Sequence, residues 1–346
     1  RGVIELNTDN FDTDIWPAVD VVPINTFNMQ DVGWGPSSDQ PTDSGFTTSQ
    51  GNGNLLTIIL PNVGTANIKV LHSSDWGVTW AETNHAPSNL IVSGISATDQ
   101  IAYTSAGVLS LHGINSGHVS YSADHFATPP TLISLSIIPT NMPDSIVASG
   151  DTVILFHDNG ADGAYVRSTD GGLTWAARST STAWNAANTW VRTKGTTWVK
   201  TNTVGQGVWV STDDANTWTE HATVLNDLTG TRHGFQNLWA DDTYFYTKTN
   251  SNALFRSTDG INWTQQVVER DPYGVGYVNY SPNQISNKVV SGNGFFIQCN
   301  RRDNGIMVSK DGFNWHRHWY SSGGGQQLIE GGDAVAAGDG SVIIVH

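Results

Sequence analysis

Short apolar runs alternate with Gly-, Asp- and Ser-rich turns along the whole chain, and no stretch holds an apolar stripe at helical spacing. Runs such as Ser145–Ala148, Thr152–His157, Ala164–Ser168 and Lys288–Val290 have strand length and are bounded by turn residues. A second marker repeats with them. Turns end at Gly53, Gly107, Gly150, Gly195, Asp242, Gly294 and Gly340, each just after an apolar strand. Each interval after such a turn holds two further strands. The predicted order is inner strand, turn, second strand, loop, third strand, turn, outer strand, repeated along the chain.

The turn before each outer strand carries a motif. Ser73-Ser74-Asp75-Trp76-Gly77-Val78-Thr79-Trp80, Ser168-Thr169-Asp170-Gly171-Gly172-Leu173-Thr174-Trp175 and Ser211-Thr212-Asp213-Asp214-Ala215-Asn216-Thr217-Trp218 are near-copies. Two shorter ones follow, Ser257-Thr258-Asp259-Gly260-Ile261-Asn262-Trp263 and Ser309-Lys310-Asp311-Gly312-Phe313-Asn314-Trp315. Ser122-Ala123-Asp124 is a weaker copy that lacks its Trp, and a segment through Asp9 leads to Trp16 by a longer turn. The acidic positions 9, 75, 124, 170, 213, 259 and 311 recur at steps of roughly 45 residues after a longer first step. Ser and Asp side chains bond turn amides, and Trp can wedge between neighbouring sheets. These residues therefore read first as scaffold.

The motif resembles the Asp box, or BNR repeat, of sialidase-like β-propellers. With the spacing, the resemblance implies an all-β chain forming one domain over residues 1–346, a seven-bladed β-propeller of four-stranded antiparallel blades. Ala334–Ala337 and Val342–Val345 supply the first two strands of the last blade, Gly2–Leu6 the third, and the stretch after Trp16 the fourth. The last blade is thus closed by both termini, which hides its edges. The chain opens inside a predicted strand, as a processed protein or a fragment of a longer one would.

Composition agrees. There are 36 Gly and 14 Trp, and only 5 of the 31 acidic residues are Glu, the helix-favouring acid. A net charge of −15, with scattered Lys and Arg, argues against nucleic acid or an anionic membrane as partner. No long apolar run suggests membrane insertion. The single Cys299 sits in an apolar run and reads as a buried thiol. An Asn/Thr/Ser/Gly-rich surface points to an extracellular or virion-surface location.

In this architecture the motif turns and the glycine turns share one face. In sialidase-like families the opposite face holds the ligand, and the resemblance implies the same here. The loops expected there, roughly 17–44, 81–97, 176–189, 220–236, 265–287 and 316–332, are long and rich in aromatics. Trp184, Tyr273, Tyr277, Trp319 and Tyr320 suit sugar rings, whose C–H faces stack on aromatic rings. Arg232 and His233 add hydrogen-bonding groups. These seven are the candidate ligand-binding residues.

Catalysis is left open, and no catalytic residue is assigned. Sialidases of this fold use an arginine triad, yet only Arg1 occurs before Arg167 and the family's N-terminal arginine motif is absent. Another glycoside hydrolase would need two carboxylates about 5–10 Å apart, for which Asp241, Glu269, Asp271, Glu330 and Asp333 are available. The histidines show no zinc spacing. No cofactor is implied, although Asp9, Asp12 and Asp14, or Asp158 and Asp162, form Asp-rich turns that would suit calcium. The two short motif copies look like repeats common in phage tail and virion-surface proteins. The expectation is therefore a protein that binds a glycan or cell-surface receptor. The alternatives are a glycoside hydrolase of the sialidase-like fold, or a structural virion protein whose partners are other virion subunits.

Overall fold

Alternation places the two faces of one strand in two different cores. In Thr152–Phe156, every residue is buried. Val153 and Leu155 pack with Leu109, Val119, Ile146 and Val166. Ile154 and Phe156 turn the other way, toward Val191, Trp198 and Trp209. An apolar side chain so placed contributes about 1.5–3 kcal/mol relative to exposure. A strand covered on both faces must lie between two other sheets.

The structure, a computed structural model, describes residues 2–6, 27–28, 48–52, 55–60, 68–75, 79–86, 101–111, 117–135, 145–156, 164–179, 189–202, 207–222, 225–226, 232–241, 243–249, 254–266, 285–292, 295–300, 305–309, 315–319, 333–336 and 342–345. The described strands form seven four-stranded antiparallel sheets and one two-stranded ribbon, with no helix among them. The first sheet is Thr48–Asn52, Leu55–Leu60, Ile68–Ser73 and Ala81–His85. The second is Ile101–Tyr103, Val108–Leu111, His118–Ser122 and Thr131–Ser134. The third is Ser145–Ser149, Thr152–Phe156, Ala164–Ser168 and Ala176–Ser179. The fourth is Thr189–Lys194, Thr197–Asn202, Val208–Ser211 and Thr219–His221. The fifth is Phe235–Ala240, Phe245–Thr249, Leu254–Ser257 and Thr264–Gln266. The sixth is Ile285–Gly292, Phe295–Asn300, Gly305–Ser309 and Trp315–Trp319. In each, order in space follows order in the chain.

The seventh sheet joins the two ends of the chain. Its order is Asp333–Ala336, Val342–Val345, Gly2–Leu6, Phe27–Asn28. Val3 pairs with Val345 and Leu6 with Val342. The first strand of every sheet lies beside the first strand of the next, and that of the seventh lies beside those of both the sixth and the first. The sheets thus follow one another around a closed circuit.

Apolar clusters fill the described joints between neighbours. Ile59, Ile68 and Val70 of the first sheet meet Ile101, Tyr103 and Val108 of the second. Val199, Val208 and Val210 of the fourth meet Phe235, Leu238, Phe245 and Phe255 of the fifth. The antiparallel up-and-down order also sorts the connections. The strand ends joined from first to second and from third to fourth lie on one face; those joined from second to third, and from sheet to sheet, lie on the other.

Candidate functional site

The repeated Ser-x-Asp turns are built in the same way wherever they are described. The Ser hydroxyl donates to the Asp carboxylate, at 2.7 Å for Ser168–Asp170 and 2.8 Å for Ser211–Asp213. The same Ser oxygen accepts a later amide of the turn, from Gly172 at 2.8 Å or Ala215 at 2.9 Å. The carboxylate then accepts both the amide and the hydroxyl of the Thr four residues on, at 2.8 Å and 2.6 Å for Asp213 and Thr217. In the shorter copy, Asn262 replaces that Thr and bonds Asp259 through its amide and side chain, at 2.8 Å and 2.7 Å. Burial pushes the Asp213 carboxyl up, but the bonds from Thr217, Ser211 and Asn216 outweigh it and hold it at about 2. Asp259 is likewise held at about 2 by bonds from Asn262, Ile261 and Ser257 against the effect of burial. Asp75, Asp124 and Asp170 are also shifted downward. Carboxylates held this way are anionic and fully engaged, so they are turn staples and not acid–base groups.

Four of the described turns also grip the preceding sheet. Trp175 packs into the core between the second and third sheets, with its indole N–H on Gly172 O at 2.8 Å. Trp218 and Trp263 sit in the next two described joints. Gly172 and Gly260 stand directly over that earlier sheet. A Cβ on Gly172 would lie 2.4 Å from Leu109 Cδ1, and one on Gly260 would lie 2.2 Å from Val199 Cγ2. The copy without Trp has a different solution. Phe126 occupies the position of Gly172, at φ 65°, and fills the first joint with 0% exposure.

Further ties run from sheet to sheet on this face. The amide and hydroxyl of Ser105 bond Asp151 at 2.8 and 2.9 Å. Ser149 Oγ bonds Gly195 O at 2.8 Å, and Lys194 Nζ bonds Thr243 O at 2.9 Å. Asp214 was missed in the sequence, where it reads as an ordinary turn residue. It accepts from Thr152 Oγ1 and from Trp198 Nε1, and its carbonyl accepts from Arg167 Nε. Asp241 is also a turn residue: it accepts the amides of Thr243 and Tyr244 and the hydroxyl of Tyr246. That use removes it from the carboxylates available to a glycosidase.

The opposite face is described in part. The connection from His221 to Phe235 contains a ribbon, Leu225–Asn226 paired with Arg232–His233. Leu225 is buried in the joint between the fourth and fifth sheets and anchors it. Arg232 and His233 therefore stand on a built element where the sequence suggested only a loop. A lone Leu between Val224 and Asn226 gave little signal of it. Trp319 closes the outer strand of the sixth sheet, at its end on this face. Trp184, Tyr273, Tyr277 and Tyr320 lie outside the described residues, as do the turn acids Asp9 and Asp311 and the calcium candidates Asp9, Asp12, Asp14, Asp158 and Asp162. Among the described residues no three His, Cys, Asp or Glu side chains gather as a metal site.

No protein-family model matches the chain, and no curated protein matches it. Solved structures do. It is similar to YCF48 bound to D1 peptide, at 14% identity over 89% of this chain and 93% of that one, with a TM-score of 0.52. It is similar to YCF48 from Cyanidioschyzon merolae, at 16% identity over 89% and 98%, with a TM-score of 0.51. It is also similar to a catalytically inactive virginiamycin B lyase from Staphylococcus aureus with quinupristin, at 12% identity over 89% and 97%, with a TM-score of 0.57. At such identities the likeness carries the fold alone. These neighbours are β-propellers, and the chain is an all-β propeller of four-stranded antiparallel sheets.

Proposed function

We propose that the chain is a seven-bladed Asp-box propeller that recognises a glycan or cell-surface receptor through the face opposite its boxes. The single observation that carries this is the division of labour between faces. The box-face carboxylates Asp124, Asp170, Asp213 and Asp259 are engaged by their own turns. The other face carries the ribbon with Arg232 and His233 and the end of the Trp319 strand. Trp184, Tyr273, Tyr277, Trp319 and Tyr320 supply stacking faces there, while Arg232 and His233 supply hydrogen bonds. One neighbouring propeller, YCF48, is bound to a peptide, which supports a protein receptor as readily as a glycan. The setting that fits is extracellular or on a virion surface, as one domain of a tail or spike. Calcium in an Asp-rich turn would be structural.

The test is a glycan array followed by binding to candidate cells, with Trp319→Ala and Tyr277→Ala compared with the unmodified protein. Reduced binding with an unchanged melting temperature supports the reading; unchanged binding by both variants moves the site elsewhere. Turnover of a bound glycan would favour the glycoside hydrolase. Absence of any glycan or receptor binding would favour a virion assembly role.

A further inference from the structure

The joint between the first and second sheets gathers histidines. His72 lies on the third strand of the first sheet, with Thr57 and Ala81 beside it in register. His125 lies in the turn of the second sheet, at φ 56°. Tyr103 links them: its hydroxyl donates to Thr57 Oγ1 at 2.7 Å, and its ring lies 5.9 Å from the His125 ring. His85 closes the joint nearby. Its Nε2–H donates to Phe126 O at 2.9 Å, and Thr83 Oγ1 donates to the same carbonyl at 2.8 Å.

The Nδ1 atoms of His72, His85 and His125 are buried and meet no hydrogen-bond partner. A neutral imidazole tolerates this, because one nitrogen carries no hydrogen. An imidazolium does not, because both nitrogens donate and the charge is desolvated. The remaining groups do not compensate. Asp124 is the facing carboxylate, and its oxygens already accept from Ser122 and from the amide and hydroxyl of Thr128. Glu82 bonds Asn84 on the other side of its strand, away from Thr83 and His85. Strand Thr48–Asn52 has no titratable residue. His118, by alternation with Ser120 and Ser122, adds another imidazole to the same side of the second sheet. Phe126, which stands where other turns have a small residue, is the apolar plug of this joint.

We propose that this joint is an acid-opened seam: proton uptake by His72 and His125 drives turn 122–128 off the first sheet while the other described joints stay closed. Burial lowers the affinity of His72 for a proton, His125 and His85 lower it further, and Asp124 offsets part of this. Burial likewise lowers His125, again against Asp124. The sign follows. The unfolded or opened state takes protons near the ordinary value of 6.5 and the closed state only at lower pH. The closed joint is therefore fully favoured above that value and loses stability as pH falls through it. By contrast, the joint between the third and fourth sheets is tied by Arg167 and Asp214, whose charged groups lie 3.7 Å apart.

The experiment is hydrogen exchange at about pH 7.5 and about pH 5, corrected for intrinsic rates, on the unmodified protein and on a His72→Gln/His125→Asn variant. Asn suits the left-handed backbone at position 125. Segments 81–86 and 118–135 should lose protection at pH 5 in the unmodified protein and keep it in the variant, while 189–202 stays protected in both. Unchanged protection in the unmodified protein, or equal loss in the variant, overturns the proposal. The imidazole resonances of the unmodified protein provide a readout that needs no variant. His72 and His125 should titrate below 6.5, together with the loss of protection. Titration at or above that value would also overturn it.

Discussion

The indole N–H of Trp198 donates to Asp214 Oδ1 at 3.0 Å, so a carboxylate in one turn of the fourth sheet is fixed by that sheet's own second strand. The other oxygen takes the Thr152 hydroxyl from the third sheet, and Arg167 Nη2 of that sheet lies 3.7 Å away. One side chain thus joins the local fold of a sheet to its docking on a neighbour.

Removing that carboxylate leaves buried donors without an acceptor. Asp214→Ala should destabilise the protein by about 1–3 kcal/mol in urea unfolding. Asp214→Asn, which tolerates the observed φ of 62°, should cost less. Equal costs for the two would show that the backbone and not the carboxylate dominates.

Gly172 makes a packing prediction. Gly172→Ala places a methyl against Leu109 at a φ of 92°. The expected loss is about 1–3 kcal/mol. Combined with Leu109→Ala, the loss should be smaller than the sum of the two single changes. Strict additivity would mean that the turn does not press on the preceding sheet.

Phe126→Ala should cost about 3–5 kcal/mol, because this ring fills the place given elsewhere to a small residue and a Trp. A loss well below 1 kcal/mol, read from denaturant midpoints, would mean that the joint collapses around the gap.

Acid should act on the turns later than on the histidine joint. Asp213 and Asp259 are held at about 2 against an ordinary 3.8, so the folded state binds fewer protons than the unfolded state between those values. Their contribution is full above about pH 4 and is lost as pH falls toward 2. Asp213→Asn should lower stability by a constant amount above about pH 4 and remove the fall in stability between about pH 4 and 2, so that the two proteins converge toward pH 2. A change confined to neutral pH would contradict the assignment.

These outcomes also separate what local sequence could reveal from what it could not. Ser168, Asp170 and Thr174 satisfy one another within a single turn, so their spacing alone announces the staple. The closure of Gly2–Leu6 on Val342–Val345 was legible because each end supplied half of a repeat. Phe126 was not legible, since its place depends on Ile59, Ile68 and Val70 of another sheet. Asp214 and His72 were missed for the same reason: what they do is set by residues far away in sequence. The ribbon at 225–233 rests on one buried Leu225, too little for a pattern to show. Strand ends moved by a residue or two, as with Ser145–Ser149 in place of Ser145–Ala148, because hydrogen-bonded pairing extends past the apolar core.

If one face is scaffold and the opposite face binds, a ligand should leave its mark on one side of the ring. Hydrogen exchange with and without a bound glycan or receptor fragment reads this directly. New protection is expected in 225–233, 267–284 and 315–332, with none in the turns 168–175 and 211–218. Protection confined to those turns, with the opposite face unchanged, would contradict the assignment of the two faces.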